Sequence, residues 1–567
     1  MKLTVVGSAG EEASCGGSQH FFLLRCSSAL LTPHQFVNGP STMASGSSSP
    51  PKTAFVSFPG AEYTQTAAIR AARKVLTPHG WIVEAGESAD APHHAQDDSG
   101  PSAPSGKDLY LADYDLLPFE ELLPGAPASA KGKQPQCSSY VIRKALIRKH
   151  YLASALNTYA VKLPPGDEAR RFRSCTPKTW HLDIQFADEL DELLMDDLYD
   201  LAELLEQNER ALEEASENDV KWFILKPGMA DRGNGIRIFS TLDQLQSIFE
   251  EFEPESDDEG DEDDDVDDDG EAGSSASGYA YAGKDTSVMA SQLRHFVIQE
   301  YIRSPLLVDP IRSPQGDSLA KEVSQKLSLD SAPGSNARKF HLRAYVLCVG
   351  GVAVYLHDEM LALFAPLAYE APSSATVRDL RCHLTNTCLQ DDGSLAVGND
   401  ARPKEENVFL WSDLAGSACK NPTHAEADAT LSSDMVDQVR RKAADVIGAC
   451  FQAAAKAGSI HWQMWPNAFE VFGVDLLVGY DDDAQAEAQN PSDFNVWLLE
   501  VNAQPDFAQT GARLSATIDR LFERVCEIAV LPYHSKGSDQ TDMDSWKVGE
   551  SRQGTTLCYR EDLGRGL

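Results

Sequence analysis

Two apolar runs, Phe469-Glu-Val-Phe-Gly-Val-Asp475-Leu-Leu-Val-Gly-Tyr480 and Asn495-Val-Trp-Leu-Leu-Glu500-Val-Asn502, flank a polar connection from Asp481 to Phe494. Both are rich in Val, Leu and aromatic residues, so each reads as a strand and the pair as an antiparallel hairpin. Folding the chain about the middle of the connection sets Glu500 opposite Asp475, with Asn502 two residues further along the same face. Two carboxylates facing each other beside an amide repel inside an apolar sheet unless a cation lies between them. A site of oxygen donors suits Mg²⁺, which takes one or two protein carboxylates and completes its shell with water and phosphate oxygens. A register different by one residue would send Glu500 to the opposite face.

Other strands upstream carry charge in patterns of the same kind. In Lys339-Phe-His341-Leu-Arg343-Ala-Tyr-Val346, alternation puts Phe340, Leu342, Ala344 and Val346 on one face and Lys339, His341 and Arg343 on the other. Like charges on one face repel unless an anion sits between them or water solvates them, so the cluster is either an anion site or a solvated edge. Trp222-Phe-Ile-Leu-Lys226-Pro227 is a buried strand ending in Lys. A loop from Gly228 to Asn234 and a second strand, Gly235-Ile-Arg-Ile-Phe239, follow it. Such a hairpin can close over phosphates, with Gly233 and Gly235 allowing close backbone approach, although ordinary hairpins share the pattern. His295-Phe-Val-Ile-Gln299-Glu300-Tyr301-Ile302 reads as one more core strand with a polar exit.

The chain has 567 residues, 42% of them hydrophobic, which is enough for two or three domains. Lys and Arg number 49 against 87 Asp and Glu, a formal charge of −38, and this opposes direct nucleic-acid binding, which needs clustered cations. Part of that charge is local: 16 acids and no bases lie between Glu250 and Glu271. Phe252 to about Asp285 and the Ser/Pro-rich Pro310 to Asn336 therefore read as disordered insertions within one folded unit. No apolar run reaches the roughly 18 residues of a membrane helix. The eleven cysteines form no C-x-x-C and are odd in number, as expected of reduced thiols in a cytoplasmic protein.

Residues 1–50 end in Gly, Ser and Pro and lack a secretory pattern, so they read as a disordered leader with Met43 a candidate start. The first strand is Thr53 to Phe58, followed by a helix around Gln65 to Val75. Tyr140 to Tyr159 reads as a basic helix and Asp188 to Glu217 as one long acidic helix, whose leucines from Leu190 to Leu205 make a core-facing stripe. Asp434 to Ala457 reads as an amphipathic core helix through Val439, Ala443, Val446, Ile447 and Phe451.

Six motifs in order now carry a resemblance. Trp222-to-Pro227 with Arg232-Gly-Asn-Gly-Ile236, Gln299-Glu-Tyr-Ile302 with Pro305-Leu-Leu307, Lys339-to-Val346, His383-Leu-Thr-Asn386, Phe472-Gly-Val-Asp475 and Leu499-Glu-Val-Asn502 resemble the tubulin-tyrosine ligase family of ATP-grasp enzymes. The likeness runs over about residues 140–530, with a weaker part from about 53. It implies an α/β fold of three lobes with ATP between the central and C-terminal ones. The lobes would be 51–185, 186–305 (with the acidic insertion 252–285) and 338–535, with a second insertion at 306–337 and a polar tail at 536–567. The implied activity is ATP-dependent peptide or isopeptide bond formation between an amino acid, tyrosine or glutamate, and the tubulin C-terminal tail.

Position by position, Lys226 resembles the family's phosphate-contacting lysine, Arg232, Gly233 and Gly235 its phosphate loop, and Gln299, Glu300, Tyr301 and Ile302 the segment that meets the adenine. Lys339 and Arg343 resemble the basic pair near the phosphates and acceptor. Asn386 lies in the family's His-Leu-Thr-Asn segment. Asp475, Glu500 and Asn502 match the Mg²⁺ ligands, with Glu500 also taken as catalytic. Lys149, in Leu146-Ile-Arg-Lys149, is a further basic candidate near the nucleotide. Two departures bear on substrate choice: His341 stands where the family has Asp, and Leu363-Phe-Ala-Pro-Leu-Ala-Tyr369 lacks the Arg usual before that Tyr. Fungal relatives that resemble this chain associate with mRNA-decapping factors in P-bodies, so an interaction protein that binds ATP is the second reading. A small-molecule ATP-grasp ligase is the third.

Overall fold

The computed structural model describes residues 50–86, 103–123, 125–126, 133–214, 219–228, 235–252, 294–310, 337–385, 407–422, 429–480, 494–535 and 543–561. The readings of the leader, of both insertions beyond their first residues, and of Arg232, Gly233 and Asn386 lie outside the described residues.

The folded chain starts with a parallel sheet of β1 (Lys52–Ser57), β2 (Trp81–Ala85), β3 (Leu109–Ala112) and β4 (Gln136–Cys137), in the order β2-β1-β3-β4. Helix Glu62–Leu76 crosses from β1 to β2, burying the Ala67, Ala68, Ala71, Ala72 and Leu76 stripe that its helical spacing dictates. A second sheet is antiparallel, with β5 (Thr179–Asp183), β6 (Phe223–Pro227), β7 (Arg237–Phe239) and β8 (His295–Glu300) in the order β5-β8-β6-β7. Its core joins Trp180, Leu182, Phe223 and Phe296 to the leucines of the helices before β6 and the aromatics of helix Leu242–Phe252.

After the short β9 (Leu307–Val308), the third sheet is built on β10 (Phe340–Val349). One side of β10 pairs with β11 (Ala353–His357) and β12 (Leu361–Phe364), and β12 pairs in turn with β13 (Val408–Leu410). β14 (Ala418–Lys420) and β15 (Ala429–Thr430) form a small sheet with β9. The other side of β10 pairs with β16 (Phe469–Gly479), and β16 with β17 (Asn495–Ala503). β18 (Ser551–Arg552) and β19 (Thr555–Arg560) complete the edge beyond β11.

Alternation along β10 gives this sheet two apolar faces. Phe340, Leu342, Ala344 and Val346 pack with helix Ser433–Ala455 and with Leu152, Leu156 and Phe172, while Tyr345 and Leu347 pack toward helices Glu62–Leu76 and Ser515–Val525. The α/β class is as expected.

Several local expectations are corrected. The polar tail is folded from Met543 to Glu561: β19 pairs with β11 and buries Leu557, Cys558 and, nearby, Trp546. The strand is six residues, Thr555 to Arg560, and shows no period-2 alternation, so it does not stand out in a polar stretch. β5 pairs with β8 and belongs to the central sheet, although the first lobe was drawn to residue 185. The acidic helix is broken into Leu190–Met195 and Tyr199–Glu213. Asp196 and Asp197 sit at the negative end of the first piece, and a wide turn, Leu198 N–H to Leu193 C=O at 2.8 Å, rotates Leu198 back into the core. The basic helix likewise divides at Arg148 into Lys144–Ile147 and Lys149–Lys162. The eight cysteines described are all free and buried, and no described helix is long and apolar enough to cross a membrane.

Candidate active site

Three strand ends and a hairpin converge on one cleft between the central and C-terminal sheets. β6 carries Lys226 next to its last residue, β8 ends on Gln299 and Glu300 with Tyr301 and Ile302 just beyond, and Lys339 stands just ahead of β10, which carries His341. β16 brings Asp475, and β17 brings Glu500 and Asn502. Lys149, at the start of its helix, lines the same cleft. So do the apolar side chains of Ile224, Ile236, Ile302, Leu477 and Leu499, which make a wall suited to a planar base.

The hairpin pairs Asp475 with Glu500 and Gly473 with Asn502, as the folding of the connection required. The ladder does not run straight. Toward the connection Leu476 pairs with Leu498 and Gly479 with Asn495, so Leu499 is an extra residue bulged out of β17 next to the carboxylate pair. That bulge delivers Glu500 to Asp475; an unbroken ladder from the Gly479–Asn495 end would have placed Leu499 there.

Asp475 is 5% exposed and gripped on two sides. Arg343 meets both its oxygens, Nε to Oδ1 at 2.5 Å and Nη2 to Oδ2 at 3.0 Å. His341 Nε2 lies 3.6 Å from Oδ1 while its Nδ1 bonds Thr385 Oγ1 at 2.6 Å. Although burial opposes charge, the Asp475 carboxylate holds the Arg343 guanidinium firmly protonated. Burial pushes His341 down, against the pull of Asp475, so the imidazole is neutral at pH 7. Glu500 is likewise ionised: burial would raise it, but Lys149, at 3.1 Å, and Lys226 hold it well below the carboxylate range. Asn502 Nδ2 donates to Asp475 Oδ2 at 3.3 Å and to Glu500 Oε1 at 3.2 Å. With the oxygen and nitrogen of that amide exchanged, the trio is an all-oxygen donor set, and such a set fits Mg²⁺.

The cationic side is short of counter-charge. Lys339 is 8% exposed, and among the described residues its amine meets only the Tyr301 hydroxyl at 3.0 Å and the face of that ring. Burial, then the Lys226 ammonium, lower Lys339 to about 7. Lys226 donates to Gln299 Oε1 at 2.6 Å and is lowered by burial to about 8. Of the two alternatives for this cluster, the solvated edge is excluded, because β10 is covered on both sides and Lys339, His341 and Arg343 are all buried. Two desolvated amines hydrogen-bonded only to neutral groups among the described residues, near a carboxylate pair, make a seat for a polyanion carrying a divalent cation.

Of the expected residues, Lys226, Gln299, Glu300, Tyr301, Ile302, Lys339, Asp475, Glu500 and Asn502 line this cleft, and Arg343 supports it through Asp475. Gly235 sits beside it with φ of 71°, a backbone only glycine adopts freely. Sequence reasoning passed over His383 and Thr385. His383 Nδ1 meets the Tyr301 hydroxyl at 3.0 Å, and burial with Lys339 lowers it to about 4. Both stand in the His-Leu-Thr-Asn segment, which was the available signal.

Residues 174–538 match the family model described as "Tubulin-tyrosine ligase family". A probable tubulin–tyrosine ligase of Schizosaccharomyces pombe is 35% identical over 76% of this chain and 85% of its own length. A probable tubulin–tyrosine ligase of Saccharomyces cerevisiae is 33% identical over 78% of this chain, which spans 48% of that protein. The solved C-terminal domain of Pby1 from K. lactis, described as an ATP-grasp enzyme interacting with the mRNA decapping enzyme Dcp2, is 27% identical. It aligns over 86% of this chain and 98% of its own with a TM-score of 0.47. By the family match and the S. pombe relative, the chain belongs to the tubulin-tyrosine ligase family.

Proposed function

We propose that this chain is an ATP- and Mg²⁺-dependent carboxylate–amine ligase that joins an amino acid, tyrosine or glutamate, to the C-terminal tail of tubulin. The observation that carries the reading is the gathering in one cleft of three lysines, Lys149, Lys226 and Lys339, with Asp475, Glu500 and Asn502.

A carboxylate is a poor acyl donor because its leaving group would be an oxide. Attack of a carboxylate oxygen on the γ-phosphorus of ATP breaks the bond to ADP and makes an acyl phosphate. The substrate amine then attacks the acyl carbon, phosphate leaves, and the amine gives up a proton. Lys226 and Lys339 neutralise phosphoryl oxygens, and Lys149 keeps Glu500 ionised. Asp475, clamped by Arg343, and Glu500 with Asn502 would hold Mg²⁺, which supplies further charge neutralisation at those oxygens. His341, neutral and tied to Thr385, adds no positive charge and orients Asp475.

The purified chain is incubated with Mg²⁺, ATP, tyrosine or glutamate, and intact or detyrosinated tubulin, and the tubulin tails are read by mass spectrometry. A mass increase of one tyrosyl or glutamyl residue, dependent on ATP, supports the reading and names the substrate. ATP binding with unmodified tails refutes tubulin as acceptor.

A further inference from the structure

The two desolvated amines of the cleft are held by partners of different kinds. Lys226 donates to Gln299 Oε1 at 2.6 Å, and Gln299 Nε2 donates in turn to Thr179 Oγ1 at 3.1 Å, so the amide presents to Lys226 an oxygen that can only accept. Lys339 meets the Tyr301 hydroxyl at 3.0 Å, with the centre of that ring 4.2 Å away. A hydroxyl works in both directions: it accepts from an ammonium or donates to a neutral amine. Burial keeps the Tyr301 hydroxyl protonated. The charge state that it favours in Lys339 therefore depends on where its one proton goes.

That proton goes to His383. Its Nδ1 stands 3.0 Å from the Tyr301 oxygen, the two rings meet edge to face at 5.7 Å, and His383 is 1% exposed. Burial, then Lys339, hold the imidazole neutral, so it carries a single proton of its own. The backbone carbonyl of Thr376 favours a proton on the ring, and with Nδ1 turned to Tyr301 that proton belongs on Nε2. A proton on Nδ1 would set a second donor against the ammonium across one hydroxyl oxygen. Nδ1 thus accepts, and the donors run in one direction, from Lys339 to Tyr301 to His383. The other titratable groups that face this chain are Lys226 on β6, which opposes charge on Lys339, Cys382, which favours it, and His341 on β10. Tyr369, beside Tyr301, gives its own proton to the Arg303 carbonyl at 3.0 Å. Among the described residues none of these bonds the Lys339 amine.

We infer that His383 is a positioning residue for Lys339: by accepting the Tyr301 proton it turns the hydroxyl oxygen to the amine, and so holds Lys339 as an ammonium aimed into the cleft for an anionic ligand. Lys226 needs no such device, because its amide partner has no proton to misdirect. His383 acts here through Tyr301 and without touching the ligand. The inference deepens the ATP reading and rests on it for the identity of the anion; the chain of hydrogen bonds is complete without nucleotide.

Trace acetylation of Lys339 by acetic anhydride on the folded full chain, read by mass spectrometry from about pH 5 to about pH 10, follows the neutral amine with no nucleotide present. The wild-type midpoint should lie at about 7. His383→Phe, which removes the acceptor, should move it about one pH unit lower, and His383→Asn, whose Oδ1 can take the place of Nδ1, should stay within about 0.3 unit of wild type. In a Tyr301→Phe background, His383→Phe should add no further shift. ATP affinity of His383→Phe at about pH 7, relative to its own value at about pH 5, should fall about fivefold more than that of wild type. An unmoved midpoint in His383→Phe overturns the inference. So does a shift of equal size with and without the Tyr301 hydroxyl, or one as large in His383→Asn. Failure of the wild type to bind ATP refutes the ATP reading instead, and the acetylation midpoints still decide the role of His383.

Discussion

On the proposed reading, the desolvated amines of Lys339 and Lys226 make nucleotide binding a proton-linked event. In the free protein Lys339 titrates at about 7 and Lys226 at about 8. A triphosphate seated against both favours their charged forms, so the bound-state values lie above the free ones and affinity is lost as pH rises through the free values. At about pH 6 both amines already carry their protons. At about pH 8 Lys339 is about nine-tenths neutral and Lys226 half neutral, so full recharging takes up about 1.4 protons. Integrated over that interval, affinity falls about 20-fold, roughly tenfold from Lys339 and twofold from Lys226. His383, held down at about 4, adds nothing in the same window. Calorimetric titration of ATP at saturating Mg²⁺, repeated in two buffers of different ionisation enthalpy, reads the uptake directly. Lys339→Met should bind more weakly at the acid end and keep only the twofold dependence that Lys226 supplies. A constant affinity across the interval, or uptake below about 0.3 proton at about pH 8, refutes the placement of phosphates against these amines.

Glu500→Gln keeps the side-chain volume but removes the charge that Lys149 meets at 3.1 Å. Mg²⁺-dependent ATP turnover should drop about 100-fold or more with the melting temperature little changed, and a wild-type rate would refute the site. Arg143→Met leaves Glu470, 2% exposed, without its guanidinium at 2.7 Å. Urea unfolding should show a loss of about 3–5 kcal/mol, and adding Glu470→Leu should recover most of it. Leu557→Ala, at a fully buried position of β19, should cost about 2–5 kcal/mol by the same assay. A loss below about 0.5 kcal/mol would mean that the last strand contributes little to the sheet.

The parts of the site legible in sequence are those whose spacing is set by strand geometry. Lys339, His341 and Arg343 on one face follow from period two, and Asp475 opposite Glu500 follows from folding the connection about its middle, although the pair is made only through the bulge at Leu499. What escaped depends on contacts between distant segments. His383 touches Tyr301 across 82 residues, and nothing local in either marks the pair. β5 reads as a strand, yet its membership in the central sheet is decided by pairing with β8 more than 100 residues later. The break in the acidic helix lay in view as Asp196-Asp197, but periodicity alone ran through it. β19 was missed because one short run without alternation among polar residues carries little signal, while its burial depends on β11 offering an open edge.

The bulge at Leu499 separates two jobs within one hairpin. On the connection side the ladder is held by buried Val478, Val496, Leu476 and Leu498, and on the other by Val474 and Val501. Because those side chains lock each half in place, residues can be added or removed between Tyr480 and Phe494 in the course of divergence, or by a protein engineer inserting a tag, without moving Glu500. Deletion of the single residue Leu499 is the opposite case: the two halves could no longer both keep their partners, and either the apolar face or the carboxylate pair would have to give way. The hairpin thus tolerates large changes of length at its tip and none at one position in its stem.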